Sequence, residues 1–474
     1  MNDQKLKFDI LVIGSGAGGA LAAYGLQKQG FNVCMLEKGP WAKQNLKEVR
    51  AFTHYYKDQG LVGAFGNSFI GVPTGEVVGG TTKINSGTCF DTPKEIVDTW
   101  QKHYKMNIAY DELSPHFKTL RELLHISPVP TENMAKGNLF FQKGIEALGY
   151  KNHFPLHRAA KACTGSGRCC FICPKDAKQS TDVSIIPNFL KEGGTLFSQT
   201  EVTGIEEQKE GVRITCKTSA LQAKKLIISA GSLSTPILIR KNKLGTHWKK
   251  AGLGLTIHPA SKVFGEFLEP VYGWRGVPQA LGFKHPNFPT LSFEGVFTPP
   301  ALSGLVMPLE GKRLRGWLEK YDHVGSFGVM LKDTNTGWVR AFPGIGPLLH
   351  YSLHPNDFKN LIEGLRFIGL SYLASGAKRI LLPISGIQNE FESFEALKQF
   401  NFSKMRPSQL YSMGFHPLGT CGMGRVVDSH LKLIGSNHIY VCDGSVVPTS
   451  LGVNPQITIM ALALRLSNRF SKNS

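Results

Sequence analysis

Residues 8–13, FDILVI, form a short, β-branched run that is apolar except for Asp9 and leads straight into Gly14-Ser15-Gly16-Ala17-Gly18-Gly19. That pattern predicts a strand covered on both faces, as in a parallel sheet. A helix over residues 20–29 ends at Gly30, and a second strand over 32–36 is closed by Glu37. The glycines have separate tasks: Gly14 permits the tight turn, Gly16 lets backbone approach a pyrophosphate, and Gly19 allows close packing of helix on strand. The helix N-terminus adds N–H groups and the positive end of its dipole, so a phosphate would meet backbone rather than a cationic side chain. Glu37 lies about 20 residues past the turn, where it can accept a ribose hydroxyl. The unit predicts a Rossmann-like dinucleotide site, and taken alone it fits either FAD or NAD.

The chain has 474 residues, more than one compact core usually takes, which predicts two structural units. Its opening apolar run is too short for a secretion signal, and no stretch approaches about 18 uninterrupted apolar residues. A soluble, cytoplasmic protein is expected. The 54 Lys and Arg against 35 Asp and Glu give a net charge of +19, which leaves peripheral contact with an anionic membrane open. No basic run or nucleic-acid motif accompanies the charge, so no nucleic-acid partner is expected. The densest basic patch, Lys312-Arg313-Leu314-Arg315, reads as solvated surface.

Two internal segments carry further turns. Residues 75–87, GEVVGGTTKINSG, are too rich in glycine for a helix and too polar for a core strand, which predicts a loop. Residues 225–240, KLIISAGSLSTPILIR, begin as an apolar strand, turn at Ala230-Gly231 and continue through Thr235-Pro236 into a helix with proline in its first turn.

Near the C-terminal end, GFHPLGTCGMG places His416 in a tightly turning, glycine-rich loop, and Asn454 follows in SLGVNPQITIM. An imidazole with its ordinary pKa near 6.5 can accept a hydroxyl proton at neutral pH, and an amide can hold the substrate oxygen while a C–H bond is aligned. Asp443-Gly444 ends an apolar strand, the place where doubly wound sheets hold ligands. Pro455-Gln456-Ile457 opens a helix whose N-terminus is positive. His258-Pro259 reads as a structural histidine by comparison.

Together these segments resemble the glucose-methanol-choline (GMC) flavoprotein oxidoreductases along the whole chain. The resemblance implies FAD and oxidation of an alcohol at its CH–OH group, with His416 as base and Asn454 orienting the substrate, as in the cholesterol oxidase and long-chain alcohol oxidase branches. It implies that Gly79, Gly80, Thr81 and Asn85 pass close to pyrophosphate and isoalloxazine. Val202 would meet the adenine, Asp443 the ribityl chain or pyrophosphate, and Gln456 and Ile457 would lie near the pyrimidine edge. Some relatives carry the flavin covalently on a histidine just before the asparagine; here that residue is Ile84, so noncovalent FAD is implied. The electron acceptor, oxygen or an acceptor protein, is left open, as is the oligomeric state. A nicotinamide-dependent dehydrogenase would share the first motif but leave His416 and Asn454 unexplained. A non-catalytic flavin-binding protein would keep the glycines without turnover.

Cys163, Cys169, Cys170 and Cys173 crowd into one short segment, and thiolate-only sets suit an iron–sulfur cluster or zinc. Their spacing matches no standard ligand pattern, and free thiols or a local disulfide are the alternative. A similar cysteine-rich segment occurs in the long-chain alcohol oxidase branch, while FAD glucose dehydrogenases hold an iron–sulfur cluster near a comparable place. Residues 262–404 carry short alternating runs such as VGSFGVML and GWVRAF, which predict antiparallel strands. A helix over 357–374 capped by Asn356 follows. The expected organisation is an FAD-binding domain over residues 1–100, 160–261 and 405–474, interrupted by a substrate domain over 101–159 and 262–404. The apolar stretch 293–309 could line a pocket for a hydrophobic alcohol.

Overall fold

The computed structural model describes residues 7–342 and 346–470. The first strand is Lys7–Ile13, and its buried half, Ile10 to Ile13, pairs in parallel with Val33–Leu36 on one side and Ala220–Ile228 on the other. Thr195–Phe197 and Ile439–Val441 extend this parallel set, while Gly211–Cys216 and Val202–Gln208 add antiparallel strands at one end. The apolar run from Ile10 to Ile13 is thus explained by helices on the sheet. Ala17–Lys28 packs against Gln456–Ser467, and both bury most of their length.

Among the described residues, a second, larger sheet is mostly antiparallel. At its centre Pro259–Glu266 pairs with Val324–Leu331, which pairs with Leu291–Gly295, and Ser412–Gly414 joins the opposite side of Pro259–Glu266. The predicted alternating runs form these strands, with Gly337–Phe342 and Gly346–His350 beside them. Behind the sheet lies Pro355–Ala374, whose Leu361, Leu365 and Ile368 are fully buried. Fully burying each such side chain stabilises the fold by about 1.5–3 kcal/mol. The fold is mixed α/β, with a Rossmann-like sheet and a largely antiparallel one.

Three local readings are corrected. The helix expected to begin near Thr235 runs over Gly231–Lys241 with Pro236 inside it. The loop at 75–87 contains one helical turn, Thr81–Ile84, started by Gly80 at positive φ. The cap of the long helix is the His354 side chain, which accepts the Asn356 backbone N–H, and Pro355 occupies the first helical position. Among the described residues, no helix is long and apolar enough to cross a membrane.

Candidate active site

One cavity of about 1170 Å³ lies between the two sheets. The first glycine turn forms one end of it. Gly14 has φ +99°, and a Cβ there would sit 2.2 Å from the Ser229 carbonyl oxygen, so only glycine serves. Gly19 lies behind the wall, where a Cβ would come within 2.0 Å of the Gly14 carbonyl oxygen; this is the close packing its position predicted. Gly16 differs. A Cβ on Gly16 would meet nothing within 4 Å and would enter the cavity, at the N-terminus of the helix Ala17–Lys28. This open cradle, lined by backbone at a positive helix end, fits a pyrophosphate.

Glu37 also lines the cavity, and its carboxylate is fixed by Ser15 and by the Gly39 N–H at 2.8 Å. Ser15 supplies its backbone N–H at 2.9 Å and its hydroxyl at 2.6 Å to Glu37, and its hydroxyl oxygen accepts the Gly79 N–H at 2.9 Å. Gly79 therefore ties the second glycine segment to the first from behind the wall. Gly80 and Thr81 reach the cavity beside Gly16. Val202 reaches it beside Glu37, at the end where an adenine would lie.

Against the same glycine turn, Ala230, Gly231, Asp443 and Gly444 line the cavity together. Asp443 accepts hydrogen bonds from Gly231 N–H at 2.8 Å, Thr235 hydroxyl at 2.5 Å and Ser445 N–H at 2.8 Å. Its oxygens are thus largely committed to binding the strand ends to one another. Asn85 donates to Gln456 Oε1 at 2.6 Å, joining the second glycine segment to the helix Gln456–Ser467. Pro455 and Gln456 face the cavity, whereas Ile457 is buried in the core.

His416 and Asn454 both line the cavity, with Asn454 Nδ2 3.5 Å from His416 Nε2. An oxygen placed beside that pair can be within hydrogen-bonding reach of both. His416 Nδ1 and Asn454 Oδ1 are buried without a hydrogen-bond partner, which marks them as groups with bonding capacity to spare for a bound molecule. Burial, reinforced by the neighbouring His258, holds the His416 imidazole well below the usual histidine range. The ring is therefore neutral and able to accept a proton.

His258 keeps the structural part its sequence context gave it. Its Nε2 accepts the N–H groups of Leu451 and Gly452, both at 3.0 Å, so it holds the loop that carries Asn454. Its ring packs edge-on against His416 with centroids 5.2 Å apart. Burial pushes His258 down to about 3. Asp333 anchors the same corner by accepting from the Ile257 N–H and the Tyr351 hydroxyl, both at 3.0 Å.

Sequence reading missed several residues here. Glu294 faces the cavity and interacts with the Asn454 amide and with Gln279, and its carboxyl is raised above the usual range chiefly by burial. A lone acid in the apolar stretch 293–309 was the available signal. Lys178 donates to three carbonyl oxygens, those of Lys83, Asn85 and Cys169, at 2.6–2.8 Å, and burial lowers it to about 8. Its amine holds the Asn85 loop in place.

The iron–sulfur expectation is not supported. Among the described residues, no three His, Cys, Asp or Glu side chains gather to hold a metal ion. Cys163, Cys169, Cys170 and Cys173 are all free. Cys163 packs on the core of the second sheet, Cys169 accepts from Arg158 Nη2 at 3.1 Å, and Cys170 lies 3.4 Å from the Ser86 hydroxyl.

Comparison with known proteins bears on this geometry. Residues 52–260 match the N-terminal model of GMC oxidoreductases, residues 345–463 the C-terminal one, and residues 9–46 an FAD-binding domain. The chain belongs to the GMC oxidoreductase family. An uncharacterised GMC-type oxidoreductase of Mycobacterium tuberculosis is 31% identical over 97% of this chain and 75% of its own length. A long-chain-alcohol oxidase of Arabidopsis thaliana is 25% identical over 99% of this chain and 67% of its own length. The crystal structure of a pyridoxine 4-oxidase superposes with a TM-score of 0.72 at 17% identity, covering 98% of this chain and 99% of that one, which shows the shared fold. The protein is accordingly an FAD-dependent flavoprotein oxidoreductase of this family.

Proposed function

We propose that the protein oxidises an alcohol at its CH–OH group, with His416 taking the hydroxyl proton and Asn454 orienting the oxygen. The observation that carries this reading is the convergence of His416 Nε2 and Asn454 Nδ2 on one point of the cavity wall. Bound FAD supplies the acceptor for the hydride. The chain's own residues do the rest. His416 accepts the proton at Nε2, the atom facing Asn454, and its lowered basicity keeps that atom free at neutral pH. Asn454, steadied by Glu294, directs the substrate oxygen toward the base. The cavity's apolar flank, including Phe297, Leu302, Leu305 and Val306, suits a substrate with a hydrocarbon body. The naming of the Arabidopsis relatives as long-chain-alcohol oxidases points the same way.

The cofactor would be held without a covalent bond, since the residue before Asn85 is Ile84, buried and without a nucleophile. The purified protein is expected to be yellow, to release intact FAD on acid denaturation, and to bleach anaerobically when given a long-chain alcohol. Flavin that stays with the precipitated polypeptide would end the noncovalent reading. A flavin that no member of an alcohol panel reduces would end the alcohol reading.

Asn454→Ala removes orientation but leaves the base. Flavin reduction is expected to slow by roughly 10-fold, less than for loss of a general base. A rate within twofold of wild type in stopped-flow measurements would show that Asn454 does not position the substrate.

A further inference from the structure

The roof of the cavity carries a charged group that the chemistry above does not use. Lys262 of Pro259–Glu266 is paired with Gly328 of Val324–Leu331, and Gly328 with Glu294 of Leu291–Gly295. Directly paired residues of antiparallel strands share a face, and all three line the cavity. With strands about 4.8 Å apart, Lys262 and Glu294 are separated by ~10 Å of roof, and the glycine between them leaves that span clear.

The Lys262 amine has an unusual setting for a lysine. It donates to the Thr298 hydroxyl and lies 5.0 Å from the centroid of the Phe264 ring. Burial pulls it down to about 7, and the charged partner that most affects it is the Cys170 thiol rather than any carboxylate. The other lysines at the cavity's edge are engaged: Lys38 and Lys57 both pair with Glu76, and Lys241 donates to the Thr203 carbonyl. Among the described residues, no carboxylate lies within ion-pairing distance of Lys262. A desolvated ammonium without a counter-charge is costly to maintain.

We propose that Lys262, with Thr298, is an anion subsite that binds a carboxylate at the end of the substrate remote from the hydroxyl being oxidised. This rests on the alcohol-oxidation reading and specifies its substrate class: hydroxy acids with an apolar body. One ammonium and one hydroxyl match a monoanion, whereas a phosphate dianion calls for more donors. A neutral polar end would give this buried amine no counter-charge to hold its proton. The spacing excludes short hydroxy acids. Glu294 hydrogen-bonds the Asn454 amide, and Lys262 stands two strand spacings from Glu294 across the roof, ~10 Å. The two functional ends of the substrate are therefore separated by a chain of medium length.

The test uses the FAD-loaded protein and two probes without a hydroxyl, decanoate and decanamide, titrated against the absorbance of the bound flavin and by calorimetry. Decanoate is expected to bind more tightly than decanamide. Lys262→Met is expected to weaken decanoate about tenfold or more, the scale of a lost hydrogen bond to a charged group, and to leave decanamide within twofold. Lys262→Arg should recover most of the loss. Thr298→Val, which keeps the amine but removes its hydroxyl partner, should give a smaller loss and serves if the methionine variant does not hold FAD. In turnover, the ratio of kcat/KM for 10-hydroxydecanoate over 1-decanol should fall in Lys262→Met, mainly through KM. Equal binding of the two probes to wild type, or decanoate affinity indifferent to Lys262 and Thr298, would overturn the subsite. Lys262-dependent decanoate binding with no alcohol oxidised would leave the subsite standing and end the alcohol reading instead.

Discussion

His416→Ala is expected to give a yellow protein whose FAD is reduced by alcohol roughly 100-fold or more slowly than in wild type, the usual loss for a removed general base. FAD binding should survive, because the phosphate cradle at Gly16 and the Glu37 carboxylate belong to the other end of the cavity. His258 cannot substitute: its Nε2 is already occupied by the Leu451 and Gly452 N–H groups. The pH dependence follows from the same geometry. Burial and His258 hold the His416 imidazole well below its ordinary range. A base acts in its unprotonated form, so the wild-type reduction rate should be level through neutrality and fall only well below pH 6.5, as His416 becomes protonated. Near-normal reduction kinetics in the alanine variant, or an acid limb at or above the ordinary imidazole value, would remove His416 from the mechanism.

The parts legible in the sequence were those whose physics is local. A strand, a glycine turn and a helix that follow one another in the chain must also be neighbours in space, so the Gly14–Gly19 turn and the crossover to Val33–Leu36 could be read directly. The His416 and Asn454 loops were recognisable because each carries its own glycine or proline context. Errors arose where a local signal had a tertiary competitor. Pro236 suggested a helix start, but Asp443, far along the chain, accepts the Gly231 N–H and draws the helix back to Gly231. The four clustered cysteines suggested metal ligands, yet among the described residues no three ligating side chains gather to hold an ion, and Cys169 is instead engaged by Arg158 while Cys170 lies beside Ser86. Asp333, Lys178 and the row of Lys262, Gly328 and Glu294 carried no sequence signal at all as assemblies. Each depends on strand register or on contacts between distant segments, and shifting a strand by one residue would point its side chains to the opposite face.

Gly16→Val is expected to separate folding from cofactor binding. Gly16 has φ −70°, which any residue adopts, and a Cβ there would enter the cavity with nothing within 4 Å. The neighbouring glycines are different: a Cβ on Gly19 would collide with the Gly14 carbonyl oxygen, so substitution there damages the fold itself. The valine methyl groups would instead occupy the space where backbone N–H groups at the helix end are open to a pyrophosphate. The variant should therefore fold with native-like circular dichroism but emerge colourless. It should also lack the ligand's contribution to stability, about 4 kcal/mol at a free concentration a thousand times the Kd. Added FAD should then raise the melting temperature of wild-type apoprotein and leave that of Gly16→Val unmoved. A yellow Gly16→Val protein with wild-type FAD affinity would show that the pyrophosphate does not lie against this turn, and the assignment of the surrounding cavity end would fall with it.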